Sequence, residues 1–218
     1  MGEVQLDIKL LVRLSQFAVL VPLCVGCIHR STLDPSQRLL LWLVGLSAFT
    51  EAAAYAADVL ALPYNTPVYN LFAVLQILLY NRLFAQLLPW PLLKTWFNAP
   101  LLLLLVFGAI NLIWLQPMIA LQTNLIVAAM VVHIGFAMGY LQHYLKTSTA
   151  TSIFAAPMLW FAIGVLFYSL GTILLYAALS RMVGQTQSSL LSPWSLNALL
   201  FILLNLFYAI ALWKKAPN

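Results

Sequence analysis

The chain has 218 residues, 64% of them hydrophobic and only 7% charged, with a mean hydropathy of +0.98. Soluble domains carry about 25% charged residues, so the composition excludes a water-soluble protein and predicts an all-α, polytopic membrane protein, one domain over 1–218. The net charge of +5 is scattered among loops, which gives no nucleic-acid signal and leaves the lipid bilayer as the first partner.

A membrane-spanning helix needs about 20 mostly apolar residues. Seven segments are predicted to qualify: 10–29, 38–62, 67–88, 98–115, 119–144, 154–179 and 194–213. An alternative count of six joins 98–115 and 119–144 into one broken element. The opening MGEVQLDIKLLVRL carries acidic residues and lacks a small-residue cleavage site, so it reads as part of an uncleaved first span. Leu6 stands where a myristoylation signal has Ser or Thr. Within the first span, Cys24-Val25-Gly26-Cys27 has redox spacing, but the chain has no other cysteine for exchange. Ordinary buried thiols in an apolar helix are the simpler reading.

The second span contains AFTEAAAYAAD, Ala48 to Asp58. An ionisable group inside a bilayer is costly, about 2.5–3.5 kcal/mol for a central Asp, and marks a functional site by default. At about 100° per residue, Glu51, Tyr55 and Asp58 share a face. The alanines around them, Ala48, Ala52, Ala54, Ala56 and Ala57, allow close helix approach, so this face is expected to point into the bundle. Glu51 and Asp58 are the candidate proton carriers.

The third span offers a stripe of Tyr69, Gln76 and Tyr80, with Asn70 and Asn81 in a row beside it. Consecutive spans usually adjoin, so Glu51 is expected to meet Gln76 at mid-depth. His133 in the fifth span, Tyr168 between Gly164 and Gly171 in the sixth, and Asn205 with Asn197 and Tyr208 in the seventh come to similar depth. The bland reading of these groups is interhelical hydrogen bonding at about 0.6 kcal/mol per contact. The functional one is a small polar cavity whose ligand-binding residues are Glu51, Tyr55, Tyr69, Gln76, His133, Tyr168 and Asn205. Ser192-Pro193 reads as the N-cap and first turn of the last span.

With the amino end outside, seven of the ten basic residues fall on the cytoplasmic side: Arg30, Arg38, Arg82, Lys94, Lys146, Lys214 and Lys215. Lys9, Arg13 and Arg181 fall outside. The tryptophans agree, with Trp90, Trp96 and Trp213 near the inner edge and Trp114 and Trp194 near the outer one.

Several chemistries are argued down. A retinal protein needs a mid-helix lysine, and Lys214 and Lys215 lie at the end of the chain. A zinc hydrolase needs several histidines at one site. Here His29 and His143 sit near the inner edge and leave His133 alone at depth, which also argues against bis-histidine haem. No phosphate loop, nucleophile elbow or metalloprotease pair is present. No catalytic residue, metal site or cofactor is therefore assigned, beyond a lipid or small apolar ligand.

Glu51, Tyr69-Asn70, LWFAIGVLFYSLG (Leu159–Gly171) and LNALLFILLNLFYAI (Leu196–Ile210) together resemble a broad group of uncharacterised bacterial seven-span inner-membrane proteins. In that group the site of Gln76 is often a glutamate, so this chain has lost a charge there. The resemblance implies seven spans and a bacterial inner membrane, and carries no activity with it.

Three functions follow. The first is a sensory or regulatory protein that binds a small apolar or amphipathic molecule in a central cavity and signals through a cytoplasmic or membrane partner, docked on Arg82–Lys94, Lys146 or Lys214-Lys215. The second is a small proton-coupled transporter using Glu51 and Asp58. The third, least favoured, is a lipid-modifying enzyme with Glu51 and His133 as acid and base, which needs the two within hydrogen-bond reach.

Overall fold

The computed structural model describes residues 2–95, 98–148, 153–181 and 187–214, with side chains described for 10–95, 98–148, 154–178 and 195–214. Eight α-helices and no strand occur among them: α1 Gly2–Ala18, α2 Leu20–Ile28, α3 Pro35–Val59, α4 Thr66–Leu87, α5 Ala99–Ile110, α6 Thr123–Thr147, α7 Pro157–Arg181 and α8 Gln187–Trp213. Six stretches are long and apolar enough to cross a membrane, from Leu10–Ile28 to Ser195–Trp213, and a shorter apolar helix covers Ala99–Leu115. The architecture is that of a helical membrane protein. The expected segment 98–115 is the short one, because Asn111–Leu115 widens into a π turn and extended backbone at Gln116 ends it.

Local chemistry sets the boundaries. Pro22 offers no N–H to the Ala18 carbonyl, so the helical ladder lapses at Val19 between α1 and α2 while the dihedrals there stay helical (φ −64°, ψ −22°). α3 starts at Pro35 rather than 38. A capping box closes its first turn, the Asp34 carboxylate accepting from the Gln37 N–H at 2.8 Å and the Gln37 side chain accepting from the Asp34 N–H at 3.0 Å. At the other end Leu62 N–H reaches the Ala57 carbonyl (3.0 Å) and Ala61 N–H the Asp58 carbonyl (3.1 Å), a Schellman closure that holds Ala61 at φ +52°. The expected N-cap at Ser192-Pro193 is not one: α8 already begins at Gln187 and carries Pro193 inside it. Cys24 and Cys27, expected to be buried, are both exposed, because Gly26 and Pro22 rather than the thiols face the neighbouring helices. Trp96 lies outside the described residues, as does Lys215. The side chains of Lys9, Arg181 and Trp194 are outside the described ones as well.

α8 is the hub of one half of the bundle, packing on α7 most extensively, on α1 and α2, and on α3. α4 packs on α3, α6 and α5, and α6 on α7, so α3, α4, α6, α7 and α8 enclose the core while α5 stands outside on α4 and α6. Gly164 and Gly171 make the α7–α8 approach possible, since a Cβ at either would lie 2.7 Å from Phe207 or 2.5 Å from Leu200. At the end where α3 begins, Gln37 also donates to the carbonyls of Ala211 (2.8 Å) and Lys214 (2.7 Å), so one buried side chain caps α3 and closes α8.

Candidate functional site

The polar side chains of the core form a column between α3, α4, α7 and α8, on three levels. The first lies near the α3–α4 turn. Tyr69, in the first turn of α4, donates to the Glu51 carboxylate at 3.5 Å. Gln16 of α1 interacts with both groups. Toward the turn, Asn65 donates to the Asp58 carboxylate at 3.1 Å, in an exposed position. The acidic pair is thus spread from the helix end into the bundle, with only Glu51 half-buried.

One turn deeper is a cavity of about 50 Å³. Its polar walls are Ser47 of α3, Gln76 of α4, Tyr168 of α7, and Asn205 and Tyr208 of α8. Such a space takes a few waters, each needing about 10–15 Å³. Ligand pockets run from about 300 Å³ upward, so the central cavity is too small for a lipid or drug-sized molecule.

At the third level the Tyr80 and Tyr208 hydroxyls share a hydrogen bond. The His133 ring packs edge-on against Tyr80 with centroids 4.4 Å apart. Its Nδ1 has no hydrogen-bond partner. Beyond this level Leu40, Leu83, Phe84, Phe161 and Leu212 are all 0% exposed and close the column with carbon.

Of the seven expected ligand-binding residues, Gln76, Tyr168 and Asn205 meet in the cavity. Glu51 does not join Gln76 at mid-depth, because its partner is Tyr69, seven residues and about 10 Å earlier along α4. His133 is fully buried one level below and touches Tyr80 rather than any carboxylate. Tyr69 and Tyr80 are eleven residues apart, about 16 Å along the helix, so Glu51 and His133 are out of hydrogen-bond reach and do not form an acid–base pair. Tyr55 departs most: it is 63% exposed on the outside of α3. The inward face of that segment is Thr50, Ala54 and Ala57, while Ala52, Ala56 and Asp58 are exposed. Among the described residues no group of three or more His, Cys, Asp or Glu side chains could hold a metal ion.

Two amide clusters escape sequence reasoning. Asn81 and Asn98 exchange side-chain hydrogen bonds (2.9 and 2.5 Å), and the Asn98 carbonyl oxygen caps α5 at the Leu101 N–H, 3.1 Å away. At the far end of α5, Asn111 donates to Gln116 (3.0 Å) and to Gln122, Asn124 donates back to Asn111 (2.9 Å), and Asn70 of α4 accepts from the Gln122 N–H (3.0 Å). The signal available was four Asn and Gln residues within 111–124, Asn111, Gln116, Gln122 and Asn124, in an otherwise apolar stretch. Between the clusters, α4, α5 and α6 leave a groove of about 260 Å³, lined by Leu71, Val74, Leu105, Gly108, Ala109 and Leu112 among others, with Asn70 and Gln122 at one end.

No protein-family model matches the chain, and no curated protein or solved structure matches it.

Proposed function

We propose that the chain is a receptor-like protein of a bacterial cytoplasmic membrane, which takes a small apolar or amphipathic molecule from the bilayer and acts through a partner. The observation that supports this most is the position of α4. One of its faces, with Asn70, Leu71 and Val74, lines the 260 Å³ groove; another, with Phe72 and Gln76, lines the central cavity. A ligand can shift a conformational equilibrium only through differential contact with its states, and a helix shared by groove and column supplies that contact. In this reading the amino end is external. Arg30, Arg38, Arg82, Lys94, Lys146 and Lys214 then lie at the cytoplasmic end, where a partner of opposite charge docks.

Glu51 is the group that responds. In lipid nanodiscs, dodecanol is expected to change hydrogen exchange across residues 58–66 in the wild type and not in Glu51→Gln, with both proteins folded by circular dichroism. An equal change in both removes the carboxylate from the mechanism. A second reading, proton-coupled transport, is favoured by the Glu51–Tyr69 pair at the head of a water-sized cavity; its signature is pH-dependent flux into liposomes.

A further inference from the structure

We propose that the groove between α4, α5 and α6 is a binding site for a single-chain, uncharged amphiphile, a long-chain or isoprenoid alcohol by chemical class. The proposal rests on the reading that the ligand comes from the bilayer, and adds where it lies and what head group it carries.

The groove is held open. α5 is clasped at both ends, by Asn81–Asn98 at its start and by the Asn70–Asn111–Gln122 cluster at its finish. Between the clasps its wall is low at Ala109, while Gly108 lets Leu125 of α6 close against α5, a Cβ at 108 lying 3.1 Å from that side chain. A packing fault would close by side-chain rearrangement, whereas two buried polar clasps fix the spacing of the helices.

The shape selects one chain. Along α5 the lining runs from Leu104 to Leu112, eight residues and about 12 Å parallel to the helix axis. The volume of about 260 Å³ sits just below the usual range for ligand pockets, too small for a two-chain lipid.

The polar end selects the head group. Asn70 and Gln122 are the polar lining residues, and no Lys, Arg, Asp or Glu is among the lining. Their donors are engaged: Asn70 donates to the Met118 and Ala120 carbonyls (both 2.9 Å), and Gln122 to those of Gln116 (2.6 Å) and Pro117 (3.2 Å). What is left is acceptor capacity, since an amide oxygen has two lone pairs and the Asn70 oxygen takes one donor in this structure. A hydroxyl donates to such an oxygen. A phosphate or carboxylate would be desolvated here with neither a cation nor a free donor, and an ammonium without an anion.

The test is saturable photolabelling in phosphatidylcholine nanodiscs with diazirine-bearing dodecyl probes that end in a hydroxyl, a carboxylate or a trimethylammonium. The hydroxyl probe is expected to label the 71–77 and 104–112 segments at least about tenfold more than the charged ones, a difference of about 1.4 kcal/mol, with dodecanol competing. Ala109→Trp and Leu105→Trp, two independent ways of filling the groove, should each abolish that labelling. Equal labelling by all three probes, or none competed by dodecanol, means that bulk chains fill the groove and overturns the proposal. Saturable labelling elsewhere overturns the site while leaving the bilayer-ligand reading standing. No saturable labelling anywhere ends both.

Discussion

Glu51 accepts a hydrogen bond from the Tyr69 phenol at 3.5 Å and lies beside Gln16, and among the described residues no cation pairs with it. That contact ties the one half-buried carboxylate of α3 to α4, which carries Tyr69. Gln37 plays a purely structural part by comparison. It is 1% exposed and engages three backbone groups: it accepts from the Asp34 N–H and donates to the Ala211 and Lys214 carbonyls. Leaving a buried polar group unsatisfied costs about 1–3 kcal/mol. Gln37→Ala should therefore lower stability by about 2–3 kcal/mol in SDS-titration unfolding, and a loss within about 0.5 kcal/mol would show that water replaces the side chain there.

Helix α5 differs in kind from its neighbours: short, ended by a π turn, and fastened by amides instead of by the main core. Asn98→Ala removes both its cap and the partner of Asn81. The expected loss is about 2 kcal/mol, from a cap worth about 0.5–2 kcal/mol and an orphaned buried amide, together with faster hydrogen exchange confined to 99–112. Unchanged exchange there would show that α5 is held by apolar packing alone. The helices themselves were legible from apolar run length: each of the seven expected segments contains a helix, six of them long and apolar enough to cross a membrane, although the fifth starts at Thr123 rather than 119, and a backbone in lipid must satisfy its own hydrogen bonds. Which face of each helix points inward was not legible. Lipid tails are as apolar as the core, so association between membrane helices lacks a hydrophobic drive and leaves a weak pattern. Tyr55 is the plain case: wheel geometry correctly put it beside Glu51, yet nothing in the sequence could say that Ala54 and Ala57, not Tyr55, face the neighbours. Ser192-Pro193 has the local chemistry of a cap, whereas the helix extends past it to Gln187. The amide clasps were not legible because they join residues that no helical period relates.

Taken together, the bundle has a polar column sealed by carbon at one end, an apolar groove on the opposite side of α4, and a peripheral helix that keeps the groove from closing. For the groove to act on the column, α4 must shift when the groove fills. Spin labels at Leu78 of α4 and Leu206 of α8, both exposed on the outer surface, report that movement by electron–electron double resonance, with Cys24 and Cys27 replaced by serine. Dodecanol should change the distance by about 1–2 Å, the scale of helix shifts in switching proteins, in the otherwise wild-type protein and not in Ala109→Trp. An identical distance with and without dodecanol in the protein with an open groove would contradict the coupling of groove to column.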